Sequence, residues 1–407
     1  MKKALALLFP LTLLLSTASC SLSRKNTVPV EVVTTDTAVT AETEHAETST
    51  QEEAMVQRIP ITADKVKLQS RAVMKDDVLW LVQSGSAAEF CISGRNAYVT
   101  LAGSSGVDNN KMYRPHYAVY VNDRLICDEV MAETYIKITL WKDEDKTAAV
   151  KVMLLSEAQY GGVGVRSVEV ESNEVQHLTT FKNAPLTIEF IGDAITCGYG
   201  VESDSANETF MTSTENFSKS YAYLAASRLG ADYTTCCYSG YGIVSGYSDE
   251  GTKNDKELLP DCYGKDSNFK DYGADWDFSE HCDIVVIHLG TNDRDYVAQD
   301  PDKNGDEFVE GYKAFLQTVR EKRPDAAIIC TVGTMGGNEI YKLIERAVAE
   351  FGDDKIMTYF LQTLSTGDGM GADGYPSKKT QQNIADVLVK KINDILVETG
   401  LIDNYLY

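Results

Sequence analysis

The residues whose types and spacing could do chemistry gather in four short segments. They are Gly192-Asp193-Ala194-Ile195-Thr196-Cys197-Gly198-Tyr199-Gly200, Tyr238-Ser239-Gly240-Tyr241-Gly242, Gly290-Thr291-Asn292-Asp293 and Gly371-Ala372-Asp373-Gly374-Tyr375-Pro376-Ser377. Thr196, Cys197 and Ser239 offer hydroxyl or thiol nucleophiles, which need a base beside them. Histidine is the natural base near neutral pH, and the chain has five: His45, His116, His177, His281 and His288. None follows His288, which reads as core-facing or flanking within a strand. Tyr375 carries a phenol of ordinary pKa about 10, a poor base near pH 7. Two other patterns fall short. Gly369-Met370-Gly371-Ala372-Asp373-Gly374 matches GxGxxG but follows no strand and runs into Pro376, so it predicts no dinucleotide cradle. Asp300-Pro301-Asp302-Lys303-Asn304-Gly305 begins like a calcium loop, yet Gly311 stands where the last glutamate belongs, which predicts a solvated turn instead. The nine cysteines form no CxxC pair and read as buried thiols. No metal and no cofactor is expected.

The elements that must position these segments change character along the chain. From about Ile61 to Val170, short β-branched and aromatic runs alternate with turn signals: Val78–Val82, Tyr117–Val121, Tyr135–Leu140 and Val150–Leu155. That spacing predicts an antiparallel sandwich. From about Leu186 strand and helix alternate. Leu186–Ile191, Asp283–Leu289 and Ala326–Val332 read as strands, and Ser218–Leu229, Phe308–Lys322, Tyr341–Phe351 and Thr380–Thr399 as helices. Alternation implies a parallel sheet covered on both faces, with ligands beyond the C-terminal strand ends.

The N-terminus carries Met1-Lys2-Lys3, an apolar run from Ala4 to Leu15 and small residues before Cys20. This reads as a signal peptide over 1–20, too short for a stable span. Thr17-Ala18-Ser19-Cys20 resembles a bacterial lipobox, which implies a lipid on Cys20 and the outer face of a bacterial membrane, with plain secretion as the alternative. Residues 21–59 read as a disordered acidic tether rich in Thr and Glu. From Asn26 to Arg58 seven acids face one base, Arg58, and supply part of the net charge of −23. Such an acidic chain argues against a nucleic-acid partner. The predicted organisation is then a β-sandwich over 60–172 and an α/β domain over 185–407.

The four segments together resemble the SGNH (GDSL-type) hydrolases and, more narrowly, carbohydrate esterase family 2. Leu155-Ser156-Glu157-Ala158-Gln159, Asn216-Phe217-Ser218-Lys219-Ser220-Tyr221-Ala222 and Trp276-Asp277-Phe278-Ser279 belong to the same likeness. The resemblance implies a jelly-roll-like sandwich followed by a flavodoxin-like hydrolase domain acting on acetylated plant polysaccharide. It implies a serine nucleophile at Ala194 and a histidine base at Tyr375, oriented by an acid at Asp373. The oxyanion would be held by the amides at positions 194 and 240 and by the Asn292 side chain, with Gly242 as a rival donor. Here the nucleophile is an alanine and the base a tyrosine, so the resemblance implies an impaired, carbohydrate-binding pseudo-esterase. The alternatives are an active deacetylase using Thr196, Cys197 or Ser239, and a structural or protein-interaction module of the cell surface. Tyr241 and Trp276 are the aromatic residues expected to meet a polysaccharide or acetylated oligosaccharide, against plain core and rim packing.

Overall fold

A computed structural model describes residues 54–335, 337–361 and 365–399. The expected signal peptide, Cys20, His45 and the tether as far as residue 53 lie outside the described residues. The described end of the tether is a strand, not coil. Met55–Pro60 pairs antiparallel with Val163–Ser172, from Met55 opposite Ser172 to Pro60 opposite Ser167. Its side chains are largely exposed, so backbone hydrogen bonds to a sheet edge order it, which apolar content could not reveal.

The antiparallel strands run in chain order as β1 (Met55–Pro60), β2 (Lys67–Gln69), β3 (Ala72–Lys75), β4 (Val78–Leu81), β5 (Ala87–Gly94), β6 (Asn96–Gly103), β7 (His116–Val121), β8 (Arg124–Val130), β9 (Tyr135–Trp141), β10 (Lys146–Leu154) and β11 (Val163–Ser172). They form two sheets, ordered β3-β4-β11-β6-β9 with β1 added on β11, and β2-β5-β10-β7-β8. Alternate residues of both, among them Leu79, Val99, Val165, Phe90, Val119 and Val150, fill one core between them. The other face of the second sheet is apolar as well. Ala87, Ala118, Met153 and Leu155 pack there with Tyr120 and with Tyr223 of the following region.

That region holds a parallel sheet of β12 (Thr187–Gly192), β13 (Asp232–Cys237), β14 (Ile284–His288), β15 (Ala327–Gly333) and β16 (Ile356–Leu361), in the order β13-β12-β14-β15-β16. Its helices are α1 (Ala194–Cys197), α2 (Tyr221–Leu229), α3 (Leu259–Tyr263), α4 (Arg294–Gln299), α5 (Lys303–Lys322), α6 (Asn338–Phe351) and α7 (Lys378–Glu398). On β14, Val285 and Ile287, with Leu289 just after it, face α5 and α6, while Ile284 and Val286 face α2 and α7. Helices therefore cover both faces, as continuous apolar strands require. Helix α2 begins three residues later than its periodicity suggests, because Ser220 caps it by accepting from the Tyr223 amide. The stretch after Asp302 is the first turn of α5, so only its beginning is a turn.

One buried charge cluster ties the two regions together at the strand starts. Glu189 of β12 accepts from Arg323 Nε at 2.7 Å and from the Tyr263 hydroxyl at 3.2 Å, and lies 3.5 Å from Arg71 Nη2. Both Glu189 and Arg71 are almost fully buried. Removing one member strands the others without compensation. Glu189→Ala is expected to cost about 3–5 kcal/mol of stability, measured as a lower denaturant midpoint; an unchanged midpoint contradicts this role.

Candidate oxyanion-type site

The site is set by strand register. Gly192, the last residue of β12, lies beside Cys237 of β13 and His288 of β14. The three loops that leave these strands therefore start side by side. They carry Ala194, Ser239-Gly240 and Thr291-Asn292. This is the crevice where the chain switches from one side of β12 to the other, the usual ligand position in open α/β sheets.

Each loop presents a donor. Ala194 opens α1, and Asp193 caps that helix by accepting from the Ile195 amide at 3.0 Å. The first amides of a helix lack internal partners, and among the described residues the Ala194 amide finds no backbone acceptor. Gly240 sits at φ +83°, a backbone state that favours glycine. Its carbonyl accepts from the Tyr247 amide at 2.7 Å, while its own amide likewise finds no backbone acceptor among the described residues. The rival donor is excluded. The Gly242 amide is committed to the Glu257 carbonyl at 3.0 Å. A Cβ at Gly242 would also meet the Ser245 carbonyl at 1.9 Å, so its lack of a side chain serves the turn. Asn292 spends one side-chain N–H on the Tyr241 carbonyl at 2.8 Å, which leaves the second to offer.

The loop of Gly240 is fixed from below by Asp293. Its carboxylate accepts from the amides of Ile243, Val244 and Ser245 at 2.8–3.0 Å. Burial pushes this carboxyl up to about 6, against those three amide donors. Asp193 and Asp293 are thus structural, as amide acceptors.

At the positions where the resemblance implies a nucleophile and a base stand Ala194 and Tyr375. Ala194 has only a methyl group. Tyr375 ends a short turn that docks on the loop after α1: the Ala372 amide donates to Gly200 O and the Asp373 amide to Glu208 O, both at 3.0 Å. Burial, and after it the negative charge of Asp193, pushes the Tyr375 phenol well above its ordinary range, so it stays protonated at neutral pH. Its ring packs 4.2 Å from that of Tyr199, which in turn stacks on Phe210 at 4.1 Å. Asp373 does have something to hold. It accepts from the Tyr199 hydroxyl at 2.9 Å and the Phe210 amide at 3.1 Å. The resemblance implies an acid there that orients a base; in this structure Asp373 anchors aromatic packing instead.

Among the described residues, no histidine stands at the position of the expected base. His288 is fully buried, 3.8 Å from Asp193 and against the Tyr221 ring. His116 is buried between Asp128 and the Glu215 carbonyl, and His281 pairs with Asp283. The alternative nucleophiles separate cleanly. Thr196 is fully buried with its hydroxyl 2.8 Å from that of Tyr221. Cys197 is fully buried, and burial raises its thiol well above the ordinary range, which keeps it from being a thiolate. Ser239 alone is half-exposed, and its hydroxyl donates to Glu157.

The two aromatic expectations part company. Tyr241 lies at the site, half-buried, its hydroxyl accepting from Asn268 at 2.9 Å and its carbonyl holding Asn292. Trp276 does not. Its ring lies 3.9 Å from the Arg71 guanidinium and 5.0 Å from that of Arg323, in the charge cluster near the strand starts. That end of the sheet is opposite the site, so the substrate role expected for Trp276 is corrected to a structural one. Sequence reasoning also passed over Glu215. It lies fully buried beside Glu157 and Cys197, with donor atoms of the three within 4.8 Å of one another.

Residues 190–357 match the GDSL-like lipase/acylhydrolase family. The chain is 31% identical to the cellulase/esterase CelE of Acetivibrio thermocellus over 328 residues, 77% of this chain. It spans only 37% of that protein's length. It is 25% identical to an acetylxylan esterase / glucomannan deacetylase of Cellvibrio japonicus over 257 residues, 61% of this chain and 67% of that protein. Among solved structures, a family two carbohydrate esterase from Clostridium thermocellum in complex with cellohexaose superposes with a TM-score of 0.70 at 27% identity. That match covers 81% of this chain and 99% of the other. A family two carbohydrate esterase from Cellvibrio japonicus shares the fold, with a TM-score of 0.73 at 18% identity over 84% of this chain and 98% of the other.

The Asp293 clamp makes a direct prediction. Asp293→Ala leaves three buried amides without an acceptor, expected to cost about 2 kcal/mol and to speed hydrogen exchange at residues 243–245. Unchanged exchange there would show that the loop holds itself.

Proposed function

From a chain that carries a GDSL-like lipase/acylhydrolase domain and resembles family two carbohydrate esterases, we propose a pseudo-esterase. It binds acetylated polysaccharide through a retained oxyanion-type donor set and does not efficiently remove the acetyl group. One observation carries this reading: the two groups that are lost are side chains, at Ala194 and Tyr375, while the amides at 194 and 240 and the Asn292 side chain remain on adjoining strand ends. Acyl transfer needs the nucleophile and base as well as the hole. The strand orders support a jelly-roll reading of the antiparallel part, β4-β11-β6-β9 facing β5-β10-β7-β8, and a flavodoxin-like reading of the parallel sheet. We place the protein at a bacterial cell surface, anchored through Cys20, on the strength of the lipobox-like sequence alone.

Acetyl-ester turnover on acetylated xylan, measured for wild type, Ala194→Ser and Ala194→Ser/Tyr375→His, tests the reading. Wild type is expected to be near background, and the double variant to gain about 100-fold or more, the usual worth of a restored base. Wild-type turnover matching active esterases contradicts it. Weak residual rate does not, because a hole and binding alone can leave about 10³–10⁴-fold over water. For binding, Asn292→Ala is expected to weaken affinity for acetylated oligosaccharide about fivefold, the worth of one hydrogen bond. Absence of any glycan affinity in wild type would favour a structural or interaction module.

A second reading has one observation behind it. The Ser239 hydroxyl donates to buried Glu157, an arrangement that could activate it as a nucleophile. An acylating ester probe followed by mass spectrometry decides: an adduct on Ser239 supports an active deacetylase, and no adduct removes it.

A further inference from the structure

Two glutamates meet behind the Ser239-Gly240 turn, where no solvent reaches. Glu157 follows the last strand of the second antiparallel sheet, and Glu215 precedes α2. Both are fully buried. Glu157 Oε2 accepts from the Ser239 amide at 2.6 Å and from Gln159 Nε2 at 2.6 Å, and Oε1 accepts from the Ser239 hydroxyl. Glu215 Oε2 accepts from the Glu157 amide at 3.0 Å. Glu215 Oε1 has no partner, although it is buried. A carboxylate oxygen of each lies within 4.8 Å of one of the other's, with the Cys197 sulfur equally near.

Two carboxylates in contact without water cannot both stay ionised. Either a cation or a proton must intervene. The donors decide between them. The three hydrogen bonds that the Glu157 carboxylate accepts come from N–H and O–H groups, which compensate one negative charge in place, and the nearby Cys197 thiol is neutral. Glu215, by contrast, keeps one buried oxygen, Oε1, that no donor reaches, the place a proton would fill. We propose that the pair shares one proton, held on Glu215 Oε1, and that the remaining charge on Glu157 positions the Ser239-Gly240 turn and with it the Gly240 amide. The positioning role rests on the reading of Gly240 as an oxyanion donor; the shared proton does not. Burial and the neighbouring charge of Glu157 raise the Glu215 carboxyl well above its ordinary range, in keeping with this assignment. The antiparallel region then supplies a part of the site, because Glu157 comes from its end.

The test uses the full chain with Glu215→Gln and Glu157→Gln. Infrared difference spectroscopy at neutral pH is expected to show the carbonyl stretch of a buried protonated carboxyl, shifted in D2O and lost in Glu215→Gln. A glutamine at 215 keeps a donor for Glu157, so its unfolding midpoint is expected close to wild type. Glutamine at 157 removes the charge that the Ser239 amide, the Ser239 hydroxyl and Gln159 donate to, and its midpoint is expected to fall by at least about 4 °C. Equal losses in the two variants, a missing carbonyl band, or a stoichiometric divalent metal in the purified protein would each overturn the shared proton. In the Ala194→Ser/Tyr375→His background, Glu157→Gln is expected to lower kcat by at least about tenfold with KM little changed. A kcat equal to the parent's overturns the positioning role. Should the double variant itself be inactive, the esterase-derived reading fails, and the infrared and stability results still judge the proton.

Discussion

The hydrogen-bonded register of β12 between β13 and β14 is the constraint on which the rest depends. With Gly192 beside Cys237 and His288, three loops emerge at one edge of the sheet, and what each can present is fixed within a few residues. Carboxylates then lock the loops. Asp193 caps α1, Asp293 gathers three amides, and Glu157 holds Ser239. Each uses a buried charge to orient peptide N–H groups, the arrangement in which a carboxylate is best compensated. The result is a rigid set of donors that owes little to the side chain at position 194.

Under the proposed reading, that division is how a protein loses its reaction and keeps its site. A serine-to-alanine change removes a hydroxyl and leaves the amide in place. A tyrosine in the base position brings bulk and a phenol that burial keeps protonated. Asp373 is then drawn into packing, holding Tyr199 and Phe210. Backbone donors survive substitution because they belong to the fold, whereas a nucleophile and a base belong to single side chains.

The sequence made the site legible where chemistry coincided with a strand end. Ala194, Asn292 and Asp293 follow runs that read as strands, Leu186–Ile191 and Asp283–Leu289, and Gly240 lies in a turn-rich segment. Strands β13 and β16 were harder to see. Asp-Tyr-Thr-Thr-Cys-Cys and Ile-Met-Thr-Tyr-Phe-Leu mix polar and apolar residues at no clear period, yet β13 is what places Gly240. Trp276 misled because nearness to a motif along the chain does not say at which end of the sheet a residue falls. Its partners, Arg71 and Arg323, lie 205 and 47 residues away. The pairing of Glu157 with Glu215 across 58 residues was equally hidden. Both glutamates sit in polar stretches, Ser-Glu-Ala-Gln and Ser-Thr-Glu-Asn, so nothing local marks them as buried, and only the fold brings them together.

The central claim is that a retained hole binds an acetyl carbonyl without breaking the ester. A crystal structure of the wild-type protein with an acetylated xylo-oligosaccharide tests it most directly. The account predicts an intact ester whose carbonyl oxygen lies about 2.7–3.1 Å from the amides of Ala194 and Gly240 and from Asn292 Nδ2. A deacetylated product in the cleft, or an oligosaccharide bound away from these donors, would contradict it.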